Sequence, residues 1–164
     1  MMNTLEFANS NPYAIAYING GKNNINLNGV IKFIPWANGS IIKIEVAGLP
    51  TDTKNNFFGF HIHENGICNI EVNFETAGTH YNPDFDAHPN HIGDLPMIYS
   101  NNGYSFMLYY TSRFTPEDVV GKSIIIHNMV DDMKTQPAGN SGDRIACGVI
   151  RLNATSNRWC PYYF

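Results

Sequence analysis

Six histidines, at positions 61, 63, 80, 88, 91 and 127, carry the most legible chemistry in this sequence. His61 and His63 stand two apart in a run of strand character, so their rings leave one face while Phe60 and Ile62 leave the other. Two imidazoles on one face suit a single metal ion, and they equally suit a polar face turned to solvent. His80, His88, His91 and Asp94 follow within fifteen residues as H-x7-H-x2-H-x2-D, in a stretch rich in Gly, Pro and Asn. Three neutral imidazoles and a carboxylate make a closed tetrahedral set for zinc, and an ion would order a loop with few apolar residues of its own. A solvated loop with scattered histidines is the other reading. His127 remains, and imidazole has two nitrogens that can each take a metal, so one shared ring would give two four-ligand sites.

The elements that must position these groups read as strands. In SIIKIEVAG, Ile42, Ile44 and Val46 fall on one face and Lys43 and Glu45 on the other. Short runs of the same kind recur as AIAYI near residue 15, INLNGVIKF from Ile25, FFGFHIH from Phe57, SFMLYY from Ser105, SIIIH from Ser123 and IACGVIRL from Ile145. Ser100 to Gly103 reads as a hairpin turn, and Thr115-Pro-Glu-Asp118 as a Thr-capped start of one helical turn. About eight short strands without long helical patterns predict an all-β sandwich or barrel. Two segments break the strand rhythm, Glu64 to Leu95 and Asn128 to Arg144, and loops of such length are functional or ordered by something else.

Composition narrows the function classes. A chain of 164 residues fits one domain, and a charged fraction of 15% against a usual figure of about 25% argues against disorder and polybasic tails. Ten Lys and Arg against fourteen Asp and Glu leave a net charge of −4, the wrong sign for holding nucleic-acid phosphates, so a bound anion must meet a local positive spot. The opening residues lack the pattern of a secretory signal, and no stretch approaches about 20 continuous apolar residues, so the expectation is a cytoplasmic protein without a membrane partner. Three cysteines, at 68, 147 and 160, without CxxC spacing, do not indicate a zinc ribbon or a thioredoxin site.

Five stretches then resemble, in order, the signature stretches of the copper-zinc superoxide dismutase family: GFHIHE (Gly59 to Glu64), AGTHYNP (Ala77 to Pro83), HIGDL (His91 to Leu95), IIHN (Ile125 to Asn128) and GNSGDRIACGVI (Gly139 to Ile150). The resemblance covers roughly residues 12 to 152. It implies an eight-stranded Greek-key β-sandwich or flattened barrel with a zinc and disulfide loop and an electrostatic loop, in a single domain over residues 1–164 with a tail from 153. It implies one copper and one zinc ion per subunit, copper held by His61, His63, His80 and His127, and zinc by His80, His88, His91 and Asp94, with His80 as the bridge. Asp131 matches the family's carboxylate that links a copper histidine, His61, to a zinc histidine, His88.

The same resemblance pairs Cys68 with Cys147 in a disulfide, a closure worth about 4 kcal/mol on the chain-entropy model. Cys160 has no counterpart and reads as a free thiol. Arg144 matches the anion-binding arginine beside the copper, and Lys134 is the main charge left for steering in the electrostatic loop. The implied activity is conversion of superoxide to dioxygen and hydrogen peroxide, with His80 leaving copper on reduction and carrying a proton to peroxide. Family members occur as monomers and as dimers; the apolar strand ends and the aromatic tail Trp159 to Phe164 could serve either, a homodimer is the expectation, and copper arrives through a chaperone or directly. Two competing readings exist: a non-catalytic copper- and zinc-binding domain on the same sandwich, and a zinc hydrolase, which would need an open metal position that a closed four-ligand set lacks.

Overall fold

The described residues build nine strands: β1 (Ala14–Gly20), β2 (Asn28–Trp36), β3 (Gly39–Ala47), β4 (Phe57–Phe58), β5 (Phe60–His63), β6 (Ile98–Tyr99), β7 (Tyr104–Thr111), β8 (Ser123–His127) and β9 (Arg144–Leu152). The computed structural model describes residues 11–52 and 55–154, so Cys160 and the aromatic run from Trp159 lie outside the described residues. Seven strands form one curled sheet in the order β5-β8-β9-β1-β2-β3-β7, and β4 pairs with β6 apart from it. Every pairing is antiparallel. The architecture is thus the all-β barrel that the strand pattern predicts.

Register explains the core. Ala16 lies opposite Ile31, and Ile31 opposite Ile44, while Ala14, Phe33 and Ile42 form the next row inward. These residues are buried together with Phe58, Phe60, Ile62, Ile124, Ile126 and Ile150 in one apolar cluster. A smaller cluster of Phe74, Ala77, Ile125 and Cys147 forms where the long loop lies over the opposite face of β8. There Cys68 and Cys147 are joined by a disulfide with Cα atoms 5.7 Å apart. No helix among the described residues is long and apolar enough to cross a membrane.

Four local expectations are refined. Ile25 is exposed in the turn before β2 rather than part of it, because the strand begins only where Asn28 pairs with Asn19 and Ala47. FFGFHIH is broken at Gly59, whose N–H donates to the Met129 carbonyl (2.8 Å) and whose carbonyl accepts from the His127 N–H (2.8 Å). A Cβ on Gly59 would meet that of Ser141 at 2.9 Å, so glycine lets the second long loop close over the strand. Between β6 and β7, Asn102 and Gly103 both take positive φ (51° and 81°), as a tight hairpin turn requires. At residue 115 the cap is inverted: the Thr115 hydroxyl and N–H both donate to the Asp118 carboxylate (2.8 and 2.7 Å), ahead of a single 3₁₀ turn, Glu117–Val119.

Candidate metal centre

β5 is an edge strand, and its outward backbone groups would face solvent unless something covered them. The long loop covers them. Tyr81 N–H donates to the Ile62 carbonyl (2.8 Å), Ile62 N–H to Gly93 (2.9 Å), and bridges form between His63 and His80 and between His61 and Asp94. A Cβ on Gly93 would stand 2.3 Å from the Ile62 oxygen, so this approach requires glycine. Pairing of the loop with β5 therefore sets loop residues 80 and 94 directly beside strand residues 63 and 61. All four residues of β5 are buried, on both faces, which strand alternation alone does not predict.

Two four-residue groups result, His61, His63, His80 and His127 in one and His80, His88, His91 and Asp94 in the other. Within each, one potential ligand atom per residue lies within 4.8 Å of all the others. The unpaired ring atoms show which way each histidine faces. His61 Nδ1, His63 Nε2, His80 Nε2 and His127 Nε2 are buried without a hydrogen-bond partner, as are His88 Nδ1 and His91 Nδ1. Their opposite nitrogens are held from behind: His63 Nδ1 by the Gly78 carbonyl (3.0 Å), His127 Nδ1 by the Gly142 carbonyl (3.1 Å), and His61 Nε2 by Asp131 (2.7 Å). Buried polar atoms are almost always paired, so orphans converging on two points could serve as donors to two cations. Four imidazoles suit copper, and three imidazoles with a carboxylate suit zinc. The residues present fit both ions.

Asp131 joins the two groups. One carboxylate oxygen takes His61 Nε2, and the other takes His88 Nε2 (2.9 Å) and the Met133 N–H (2.8 Å). A Cβ on Gly139 would lie 1.9 Å from that carboxylate, so a glycine at positive φ (64°) lets the loop fold over it. Burial would raise the Asp131 pKa, but the hydrogen bonds from His61, Met133 and His88 outweigh it and hold the carboxyl well below its usual range. Asp94 is likewise lowered, burial being outweighed by the hydrogen bond from His80, whose Nδ1 stands 2.7 Å away, and by the charges of His80, His88 and His91. Burial drives the other way on the rings: His61 and His63 fall below the ordinary imidazole value and His127 falls to about 3, which favours the neutral, ligating form.

A cleft of about 350 Å³ leads to the first group, lined by His63, Thr79, His80, His91, His127, Pro137 and Arg144 among others. Arg144 is half-buried at the start of β9 and donates to the Phe74 and Gly78 carbonyls (both 2.7 Å). The Gly78 oxygen thus serves both Arg144 and His63. Burial lowers the Arg144 pKa, though a guanidinium remains charged at any working pH. Lys134 is exposed on the second loop, does not line the cleft, and donates its N–H to Asp132 (2.9 Å). Two side chains that the sequence reading passes over also touch the centre. Gln136 pairs reciprocally with the His88 backbone, accepting its N–H (2.9 Å) and donating to its carbonyl (2.7 Å), and Arg113 reaches the zinc loop from beyond β7. Neither lies near a ligand in sequence, so spacing offers no signal for them.

A curled antiparallel barrel that gathers six histidines and Asp94 into two candidate cation groups, linked by Asp131, has the donor sets of a two-ion metalloprotein. The model of the family described as copper/zinc superoxide dismutase matches residues 27–150, and the chain belongs to that family. Among its relatives, a superoxide dismutase [Cu-Zn] of Deinococcus radiodurans is 37% identical over 143 residues, covering 75% of this chain and 76% of that protein. Superoxide dismutase [Cu-Zn] 2 of Aquifex aeolicus is 35% identical over 138 residues, 75% of this chain and 78% of the other. An extracellular superoxide dismutase [Cu-Zn] of Drosophila melanogaster is 30% identical over 159 residues, 85% of this chain and 84% of the other.

Proposed function

We propose that this protein disproportionates superoxide, two superoxide ions and two protons giving dioxygen and hydrogen peroxide, with copper held by His61, His63, His80 and His127 and zinc by His80, His88, His91 and Asp94. The observation that carries this is the set of buried ring nitrogens left without partners and aimed at two points, with both nitrogens of His80 turned to ligand groups. Copper, when bound, supplies one-electron redox chemistry at four imidazoles, whereas zinc has none. The chain's own residues do the rest. The carbonyls of Gly78 and Gly142 fix the protonated nitrogens of His63 and His127, so their Nε2 lone pairs stay turned inward. Arg144, anchored by two carbonyls on the cleft wall, binds and orients the small anion despite the net charge of −4. His80 lines the cleft, and its Nε2, while free of the metal, is the atom we assign to carrying one of the two protons to peroxide.

The test is superoxide decay on protein reconstituted with copper and zinc, beside a copper-free sample of the same preparation. Rapid, copper-dependent decay is the expected result. Full occupancy of both metals with decay no faster than the copper-free control would leave the non-catalytic metal-binding domain as the reading. The proposal extends to a homodimer, for which exposed Tyr104, Phe106 and Tyr110 of β7 offer apolar surface, to a copper chaperone as donor, and to residence in the cytoplasm. Light scattering, copper transfer assays and cell fractionation test these in turn.

A further inference from the structure

Arg113 lies two residues beyond β7, exposed, and makes its contacts across the molecule with the zinc loop. Its Nη1 donates to the Asp94 carbonyl (2.9 Å), and its Nη2 donates to the carbonyls of Asn90 (2.8 Å) and His91 (2.5 Å). The segment from 90 to 94 is a tight turn: Asp94 N–H donates to the His91 carbonyl (3.0 Å), and His91 N–H donates to the Asp94 carboxylate (3.0 Å). Three carbonyl oxygens of one turn therefore converge on a single guanidinium. Converging carbonyl dipoles repel one another unless a cation sits among them. A planar fork with several fixed donors meets three oxygens at once, which a compact ammonium on a flexible stem does not.

Two of those carbonyls belong to His91 and Asp94 themselves. Turning either peptide unit to another partner would swing the attached imidazole or carboxylate away from its group. Arg113 is in turn fixed independently of any ion, because its own N–H donates to Thr111 Oγ1 (3.2 Å), and the next residue, Phe114, is buried with its carbonyl accepting from Ser40 Oγ (2.9 Å). We propose that Arg113 is a positioning residue of the zinc site, setting the backbone that carries His91 and Asp94 from outside the loop. This rests on reading His80, His88, His91 and Asp94 as the zinc set.

The test uses the full chain loaded with copper and with cobalt(II) in place of zinc, the visible absorption of cobalt reporting tetrahedral ligation, under competition with a chelator. The parent is compared with Arg113→Gln and Arg113→Lys, and with Arg151→Gln on exposed β9 surface as a control. Arg113→Gln should weaken cobalt retention roughly tenfold to a hundredfold and alter its spectrum, as loss of outer partners of metal ligands does elsewhere. Copper retention should change less, and the control should match the parent. If Arg113→Gln does not fold, Arg113→Lys decides, since it keeps the charge and the stem but not the fork. Retention and spectrum equal to the parent's in the deciding variant would overturn the proposal. A parent that takes up no cobalt at this set would instead sink the zinc reading, and this inference with it.

Discussion

Asp131 illustrates how one side chain serves two sites. Its two oxygens accept from His61 and His88, one ring from each group, and so fix which nitrogen of each ring is free to ligate. Replacement by Asn keeps the shape but puts an NH₂ donor against one ring N–H, so one imidazole must turn or change tautomer. Asp131→Asn should therefore weaken retention chiefly of the ion on that ring's side, whereas Asp131→Ala, which removes both acceptors, should weaken retention of both, roughly tenfold or more, measured by chelator competition with copper and zinc followed separately. Loss confined to one ion in Asp131→Ala would show that the carboxylate supports only one ring. Asp131 was legible in the sequence through the family's motif order. The carbonyls of Gly78 and Gly142, which do the same service for His63 and His127, were not, because a backbone oxygen has no residue type to read.

At the level of elements, the two long loops are ordered by different means. The first is stitched along the edge of β5 and tied to β9 by the disulfide. The second is pinned at Gly59 by Met129 and at His88 by Gln136. Gln136 is exposed, yet its amide matches the His88 N–H and carbonyl at once, a pairing that only an amide side chain makes. A carboxylate there could accept the N–H but would repel the carbonyl. Gln136→Glu should accordingly loosen the second loop from the first. The expected outcome is faster hydrogen exchange over residues 131–139 and roughly severalfold faster zinc release, with no change in the exchange of β1 to β3. Strand identity was readable from alternation in β3 and from short apolar runs in β7 and β9, whereas Ile25 misled, since a run of apolar and polar residues also occurs in a turn that no strand is there to pair with.

For the molecule as a whole, the electrostatic question is how a protein of net charge −4 admits an anion. The cleft holds Arg144, while Lys134 lies outside its lining, so attraction is concentrated close to the reacting site and reaches outward weakly. Turnover should fall as salt is added. Arg144→Ala should lower it by about tenfold or more and flatten that salt dependence, with metal content unchanged, because the Gly78 carbonyl keeps its contact with His63. Stopped-flow decay over a series of ionic strengths, with metal analysis of the same samples, checks both parts. A salt slope unaltered by the substitution would remove Arg144 from anion capture.

His80 gives one more property to the molecule. With copper and zinc held as proposed, a single ring with Nδ1 at Asp94 and Nε2 turned to the other group would make occupancy of the two sites a thermodynamically linked pair. Whatever factor zinc applies to the affinity for copper, copper must apply to the affinity for zinc. The resting metal content would then be a joint equilibrium with one coupling constant, and a scarcity of either ion would be felt at the other's site.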